Sequence, residues 1–396
     1  MSEWDWTPAG DVATQRKDVV QLVDGVEYRT MGVRWYGKGA YDRGTGTTET
    51  IKAKRLYRAS AGDFVFNRID TQKGAFDVVP ADLDGALATN EFPLYVTDPS
   101  RLLAGFLLLY FSQESVLRAI ENTRAGSEGR ARWKEADFEA WLVPIPPLAK
   151  QYRIITVMSA VDAQIEALDA ESVQADLLYR AALSVLIDKY DSRSIESVLM
   201  RSAAGGTPPR ENSSFFGGDI PWIKSGEVEN DAITTSAEFI TAAGLDNSSA
   251  KWVEAGSTLV AMYGQGDTKG TAGFVLSPVT TNQAVLALVP NRELIDQRYL
   301  LHAVRSRTES LRGRAVGAAQ PNLNKAVVMS EPIPVPADLN VQRQEASALD
   351  SILEYGRALN AELTSLRRVR ADLLSALLSQ EITVDEAVDQ FVEGAA

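Results

Sequence analysis

The strongest constraint on the fold is a seven-residue apolar repeat near the C-terminus, from about Leu349 to Leu378. One row of this repeat carries Ile352, Leu359, Leu366 and Leu373, and a second row carries Leu349, Gly356, Leu363, Arg370 and Leu377. Two interleaved apolar rows, three or four residues apart, are typical of a helix that packs lengthwise on another helix. The stretch therefore predicts a long helix that needs a partner.

A weaker stretch of the same phase lies about 191 residues earlier. Its two rows are Ile154, Val161, Leu168, Ala175 and Ala182, and Met158, Ile165, Ser172, Tyr179 and Leu186. Because its serine, alanine and tyrosine positions would pack poorly by themselves, the simplest arrangement buries both stripes against each other, antiparallel, within one molecule. The period alone leaves a second interpretation open, in which two unrelated amphipathic helices each lie on their own domain.

The repetition extends well beyond the helices. Ala61–Phe66 is echoed by Ala255–Val260, and a proline-rich approach to each helix occurs at Val143–Leu148 and again at Glu331–Pro336. The pairs keep an offset of about 188 to 196 residues and the same order. A repeat of this length is too long for a solenoid unit, so it indicates a duplicated domain followed by a helix.

The duplication predicts where the chain divides. We expect a first domain over 1–147, a central helix over 148–190, a second domain over 191–336, a distal helix over 337–380 and an acidic tail over 381–396. The fold class is α+β: two tandem α/β domains separated by two long helices that form an intramolecular antiparallel coiled coil. Within the domains, apolar periodicity predicts one helix from Pro99 to Asn122 and another from about Glu293 to Ser310.

Few residues suited to catalysis are present. The chain has no cysteine, which excludes disulfides, thiolate zinc sites and cysteine nucleophiles, and its only histidine is His302, for which a structural or surface role is favoured. The Gly264–Thr271 segment has Lys269 before Gly270, the reverse of a P-loop, so we interpret it as a turn that brings Lys269 to a phosphate. We therefore predict a chain that is not an enzyme and binds neither a metal nor a cofactor itself.

No membrane or secretory segment is expected. The chain opens with an acidic Met1–Asp5 stretch, and its longest apolar run, Leu102 to Phe111, is well short of a membrane span. We interpret the chain as a soluble cytoplasmic protein.

Charge is unevenly distributed. Forty basic against 53 acidic residues give a net charge of −13, which by itself argues against a nucleic-acid partner. Basic residues form clusters in the domain bodies, and acidic residues form clusters in the central helix and the tail. This separation would let two basic faces meet phosphates while an acidic rod stands clear, although solvated charge remains an alternative for each single residue.

Together these features resemble a known family. Each copy ends in a Pro-Ile-Pro approach, a glutamine (Gln151, Gln342) and a seam helix, and the second helix closes with Arg370–Ser379, whose counterpart begins at Arg180. In this combination, over nearly its whole length, the chain resembles the DNA-specificity subunit of type I restriction-modification systems. Two departures stand out: Lys150 and Val341 replace the usual acidic residue before each glutamine, and Gln380 replaces a glycine. We therefore expect the last helix to run past its usual stop.

The resemblance implies a function. In the family, each domain is a target-recognition domain that reads a few base pairs of double-stranded DNA, and the helices form a spacer that sets the separation of the two half-sites. Modification subunits, two per complex, dock on the helices, bind S-adenosylmethionine and methylate adenine N6. Restriction subunits, where present, supply ATP-driven translocation and cleavage in phage defence. This chain would supply the sequence specificity alone and would neither bind a cofactor nor catalyse a reaction.

Candidate DNA contacts are glycine-flanked basic residues, which would meet phosphates, and amide side chains, which would read adenine edges. They are Arg68, Lys73, Arg130 and Arg132 in the first domain, and Lys269, Arg312, Arg314, Gln320, Asn322, Asn324 and Lys325 in the second. The spacer seam is assigned to Met158, Val161, Ile165 and Leu168 with Leu349, Ile352, Leu359, Leu363, Leu366, Leu373 and Leu377.

Two other function classes stay open. One is the target-recognition subunit of another restriction class, which a catalytic domain in the adjacent reading frame would reveal. The other is a duplicated protein-interaction scaffold, which would show no salt-dependent affinity for DNA.

Overall fold

The structure is a computed structural model that describes residues 4–53, 55–123, 132–228, 232–264, 266–315 and 322–384. By contacts the chain divides into two compact units. Unit 1 comprises Met1–Leu168 with Glu362–Ala396, and unit 2 comprises Asp169–Ala361. Two long helices, α4 (Leu148–Lys189) and α9 (Leu339–Ser379), each contribute about one half to each unit.

The elements of the first half of the chain run in the following order. They are β1 (Asp5–Pro8), β2 (Ala13–Gln15), β3 (Val19–Val20), β4 (Tyr28–Val33), β5 (Ala40–Gly46), β6 (Leu56–Arg58), β7 (Phe64–Phe66), β8 (Phe76–Val78), β9 (Leu87–Thr89), β10 (Leu94–Thr97), α1 (Ala104–Phe111), α2 (Glu114–Thr123), α3 (Glu135–Glu139), β11 (Leu142–Ile145) and α4 (Leu148–Lys189).

The second half repeats the plan. Its elements are β12 (Ser192–Ser194), β13 (Leu199–Ala204), β14 (Phe216–Ile223), β15 (Phe239–Ile240), α5 (Ala242–Asp246), β16 (Trp252–Val253), β17 (Thr258–Ala261), β18 (Ala272–Phe274), β19 (Val279–Thr281), β20 (Val285–Pro290), α6 (Gln297–Arg305), α7 (Thr308–Gly313), α8 (Lys325–Ser330), β21 (Pro332–Pro334) and α9 (Leu339–Ser379).

Both units contain the same antiparallel four-stranded sheet, which we call the framework sheet. Its order is β2-β10-β7-β8 in unit 1 and β13-β20-β17-β18 in unit 2. In chain order both read first, fourth, second, third. We call the part of each unit outside the long helices its lobe. The flanking pairs β1–β11 and β12–β21 also match, since each joins the first strand of a lobe to the strand before the long helix. The duplicated α+β domain predicted from the sequence is therefore confirmed.

Each unit also has a second sheet, and here the two differ. Unit 1 has five strands in the order β3-β6-β9-β4-β5, whereas unit 2 has four in the order β15-β14-β19-β16. In both units these strands come from the same two places in the framework, between its first and second strands and between its third and fourth. A common framework thus carries two different insertions.

The long helices pack antiparallel within each unit, as predicted. In unit 1, Asp162 of α4 accepts two hydrogen bonds from the Arg370 guanidinium of α9, with Nη2 2.8 Å from Oδ2. In unit 2, Lys189, the last residue of α4, lies 2.5 Å from Glu345 near the start of α9. Early residues of one helix meet late residues of the other, which is the intramolecular coiled coil.

The seam positions face inward. Met158, Val161, Leu168, Leu349, Leu359, Leu363 and Leu377 are buried, and Ile165, Ile352, Leu366 and Leu373 are half-buried. The core of unit 1 continues onto the helix ends, because Ile154, Met158, Leu374 and Leu377 join its aromatic cluster. In that cluster the Phe76 and Phe111 ring centroids are 5.0 Å apart.

Each predicted domain helix is broken in the structure. Pro99–Asn122 forms α1 and α2, because the Ser112 hydroxyl donates to the Leu109 carbonyl (2.8 Å) and the Gln113 side chain to that of Tyr110 (3.1 Å), which ends α1. The predicted helix Glu293–Ser310 is also divided, into α6 and α7. Helix α6 begins only at Gln297, where Asp296 caps it by accepting the Arg298 and Tyr299 amides.

The expectation that the last helix runs past its usual stop is wrong. Helix α9 ends at Ser379, and Gln380 adopts a left-handed conformation with φ of 63°. The Glu381 amide then donates to the Ala376 carbonyl at 3.0 Å, the bond that closes a helix C-terminus of the Schellman type. Buried Val384 and half-buried Ile382 pack on the unit 1 core, which holds the turn in place.

Candidate nucleic-acid interface

In unit 1, the candidate residues lie around the turn that follows β7. An isolated bridge pairs Ile69 with Arg132 and so brings the two candidate segments together. Arg68 is largely buried, with Nη1 3.2 Å from the Asn90 carbonyl and 3.5 Å from Glu135. Arg132 is tied to Glu91 at 2.9 Å. These two arginines therefore hold the turn, and most of their charge is satisfied within the lobe.

The third candidate in this turn, Lys73, is half-exposed. Its ammonium lies 3.0 Å from Asp70 and 4.8 Å from the centroid of the Trp35 ring. Arg130, the fourth candidate, lies outside the described residues.

In unit 2, the equivalent turn is held by Arg312. Its Nε donates to the Lys269 carbonyl at 3.0 Å, its Nη2 donates to the Asp267 carbonyl, and its Nη1 pairs with Glu309 at 2.6 Å. Lys269 itself is half-buried at the end of the turn. The segment is thus a strand-to-strand turn, as interpreted, and Arg312 holds it by donating to its backbone carbonyls.

The remaining candidates of unit 2 cluster at the start of α8. Asn324 caps the helix by accepting the Val327 amide at 2.9 Å, and Lys325 is exposed, with Nζ 3.3 Å from the Ser202 carbonyl. Asn322 is half-buried, and Arg314 pairs with the buried carboxylate of Glu331 at 2.5 Å. Gln320 lies outside the described residues.

Among the described candidates, the arginines are bound to carboxylates or carbonyls of their own lobe. A guanidinium held in this way fixes a turn and has fewer donors left for a phosphate. Lys325 is exposed and forms no salt bridge with any residue that the structure describes, so its charge is available to a phosphate.

Sequence reasoning missed an exposed feature of unit 1, the tip of the β4–β5 hairpin. Trp35 is 38% exposed and Tyr36 is 71% exposed, and both are flanked by basic residues. The signal is present in the run Arg34-Trp35-Tyr36-Gly37-Lys38-Gly39, where basic, aromatic and glycine residues alternate. The glycines of this run predict a turn, and the two aromatic residues before them indicate an exposed surface.

The single histidine belongs to a buried network in unit 2. His302 is fully buried, with Nδ1 2.8 Å from the Tyr179 hydroxyl and Nε2 2.9 Å from Asp350. Because Asp350 is a carboxylate acceptor, Nε2 carries the proton and Nδ1 accepts from Tyr179. Burial lowers the pKa of His302, which keeps the ring neutral. The network joins α6 to both long helices.

Within the described residues, no group of three or more histidine, aspartate or glutamate side chains is arranged to hold a metal ion. In the same part of the chain, no helix is both long enough and apolar enough to cross a membrane.

The chain matches the family model described as type I restriction modification DNA specificity domain over residues 188–365. It is 22% identical to the Escherichia coli type I restriction enzyme EcoR124I/EcoR124II specificity subunit, over 88% of this chain and 86% of that protein. It is 29% identical to the HindI specificity subunit of Haemophilus influenzae over 45% of this chain and 39% of that protein.

Two solved structures share the fold. One is a chain from a structure on complex assembly and conformational transition of the type I R-M system, with TM-score 0.62, 17% identity and coverage of 95% of this chain and 97% of that one. The other is the type I S subunit from M. genitalium, with TM-score 0.60, 14% identity and coverage of 95% and 96%.

Each unit has a lobe built on the same framework sheet, and each contains parts of two antiparallel helices. This arrangement defines a class of duplicated recognition subunits. Residues 188–365 match the type I restriction modification DNA specificity domain, and over most of its length the chain is similar to a DNA-specificity subunit of a type I restriction enzyme. Subunits of this family are not catalytic.

Proposed function

We propose that this chain is the sequence-reading subunit of a type I restriction-modification complex, and that its two lobes read the two parts of a bipartite DNA target. The observation that carries the proposal is the contrast between the sheets. The framework sheets share one strand order, whereas the second sheets differ in both strand number and order. Two readers of different shape on one scaffold would give an asymmetric target.

The charge distribution supports DNA as the partner. A net charge of −13 opposes binding to a polyanion when it is spread evenly, but residues 154–176 of α4 and the 381–396 tail each carry five acidic residues and no basic one. Exposed Arg34, Lys38 and Arg43 lie on one hairpin of unit 1, and exposed Lys325 lies in unit 2. Local basic patches of this kind are enough for phosphate contacts.

The helices suit the role of a spacer. Helices α4 and α9 have 42 and 41 residues, and each contributes to both units. A packed pair of helices is stiff along its axis, so its length would set the number of unread base pairs between the half-sites. This part of the proposal predicts that the spacing changes with helix length.

The chain would act with partners, in the cytoplasm where the DNA lies. We propose two modification subunits that bind S-adenosylmethionine and methylate adenine, with restriction subunits that use ATP where a nuclease is present. The proposed complex draws all its chemistry from those subunits.

The test is methylation mapping. The chain is expressed with the modification subunit encoded beside it, in a host without other adenine methyltransferases, and N6-methyladenine is mapped across the genome with and without this gene. We expect one asymmetric motif of two short parts separated by a fixed number of unspecified bases. Methylation that is absent, or that follows a continuous motif, would contradict the proposal.

A salt series separates this proposal from the scaffold alternative. Binding of the assembled complex to target DNA should weaken steeply as salt rises, because phosphate contacts release counterions. A protein scaffold would bind DNA weakly at all salt concentrations even with its partners present.

A further inference from the structure

The β4–β5 hairpin of unit 1 ends in a tip, residues 34–39, that presents two aromatic side chains to solvent. Tyr36 is 71% exposed and Trp35 is 38% exposed, although both lie beside a folded turn. Large aromatic side chains exposed together lose the free energy that burial would supply. This makes the tip a candidate for a surface that is covered in a complex.

The backbone of the tip is strained where the tyrosine stands. Tyr36 has φ of 62°, in the left-handed region, where a bulky side chain is an outlier. The adjacent Gly37 has φ of 66°, and a Cβ added to it would meet nothing within 4 Å. Since Tyr36 is 71% exposed, packing within the lobe does not require an aromatic ring at this position. Strain kept at an exposed residue points to a functional role for its side chain.

The tip is held rigidly against the turn after β7. The Tyr36 amide donates to the Lys73 carbonyl at 2.6 Å, and the Gly37 amide to the Gly74 carbonyl at 3.0 Å. The Trp35 indole N–H donates to the Ile69 carbonyl at 3.2 Å. Since these contacts fix the backbone on both sides of Tyr36, its ring is aimed outward before any partner binds.

The charges around the tip leave a positive surface. Arg34, Lys38 and Arg43 are exposed and form no salt bridge with any residue that the structure describes; Arg34 lies over the Tyr41 ring, 4.1 Å from its centroid. The carboxylates nearby already bind protein groups. Asp42 pairs with Arg29 at 2.8 Å, Asp70 pairs with Lys73 at 3.0 Å, and Asp77 accepts the Ala40 amide at 2.5 Å.

We infer that the 34–39 tip enters the major groove of target DNA and that Tyr36 is a specificity-determining residue of the first lobe. The inference rests on the proposed function. The major groove admits a two-stranded β-ribbon, and β4–β5 is such a ribbon at the edge of its sheet. Arg34, Lys38 and Arg43 meet the flanking phosphates, and the Tyr36 ring and hydroxyl contact base edges.

The decisive variant is Tyr36→Gly, assayed in the complete complex. Glycine adopts a positive φ without strain, so the variant should unfold at a temperature equal to or above that of the unmodified chain. Its affinity for the target should nevertheless fall about tenfold or more, because an aromatic contact to a base is lost. In methylation maps, one part of the motif should relax while the other part and the spacing stay unchanged.

Two further variants serve as controls. Tyr36→Ala removes the same ring while the strain remains, so it should lose the same affinity without a gain in stability. Trp6→Ala removes an aromatic side chain that is 51% exposed on β1, outside both the tip and the long helices, and it should leave the motif intact. If Tyr36→Gly binds the target within about twofold of the unmodified chain and methylates the same motif, the inference is overturned while the proposed function stands. If the unmodified chain yields no two-part motif, both fail.

Discussion

Gln151 and Gln342, 191 residues apart, make the same three hydrogen bonds in their two units. Each side-chain oxygen accepts a backbone amide, that of Leu103 at 2.8 Å or Asp296 at 2.7 Å. Each side-chain amide donates to two carbonyls, one of which belongs to the proline before the long helix. A fully buried glutamine thus fastens each long helix to its own lobe.

We predict that Gln342→Glu lowers the free energy of unfolding by about 2 to 3 kcal/mol, because a carboxylate cannot donate to the two carbonyls and its charge would be buried. Gln151→Glu should have a similar effect through unit 1. Urea unfolding measures both. Gln344→Glu is the matched control, since Gln344 is exposed on the same helix, and it should change the unfolding free energy by less than about 0.5 kcal/mol. Equal effects at Gln342 and Gln344 would contradict the fastening role.

The buried histidine makes stability depend on pH. Burial holds the pKa of His302 below its ordinary value of 6.5, so the unfolded chain binds a proton more readily than the folded one. Its contribution to stability is therefore complete above pH 6.5 and is lost as pH falls below that value. Burial acts to raise the pKa of Asp350, but hydrogen bonds from His302 and Arg298 lower it to about 2. The stability that the Asp350 carboxylate contributes is therefore lost only as pH falls below 4.

The measurement is thermal unfolding at pH 7 and at pH 5.5. In His302→Gln, an amide can still accept from Tyr179 and donate to Asp350 but does not titrate, so this variant should lose less stability between the two pH values than the unmodified chain. His302 is the only histidine, which makes the comparison specific. The same loss in both proteins would rule out a titrating role for His302.

The end of α9 offers a stabilising change. Gln380 occupies a left-handed position that a glycine would adopt without strain. We predict that Gln380→Gly raises the free energy of unfolding by about 1 kcal/mol. Gln344→Gly, in the interior of α9, should lower it by about 1 kcal/mol. Denaturant unfolding measures both changes in the free energy of unfolding. Changes of the same sign in the two variants would contradict the strain at residue 380.

The candidate cations should separate into two kinds. Arg312→Ala should destabilise unit 2 by about 1 to 2 kcal/mol, because it leaves the carbonyls of the Asp267–Lys269 turn without their donor. Lys325→Ala should leave stability unchanged, weaken binding to target and unrelated DNA equally, and reduce the slope of affinity against salt by about one. Lys325→Ala binding with an unchanged salt slope would remove Lys325 from the proposed interface.

The helix seam could be read from the sequence because burial along a packed helix repeats every seven residues whatever the side chain. Even Ser172, Gly356 and Arg370, which interrupt the apolar rows, lie half-buried. The cations could not be read in this way. Whether an arginine faces DNA or its own lobe depends on a partner far along the chain, as with Arg132 and Glu91, 41 residues apart. The strained conformation of Tyr36 depends likewise on contacts with the Lys73 segment.

The spacer itself can be tested by shortening both helices together. Removing Ile165–Glu171 from α4 and Leu359–Ser365 from α9 deletes one seven-residue repeat from each helix and keeps the phase of both apolar rows. At about 1.5 Å per residue, the rod would shorten by about 10 Å, or about three base pairs of DNA. We predict a methylation motif with the same two parts and about three fewer unread base pairs between them. Deleting the repeat from α4 alone is the control, and it should abolish methylation because the seams no longer match. An unchanged spacing after the paired deletion would show that the helices do not set the separation of the half-sites.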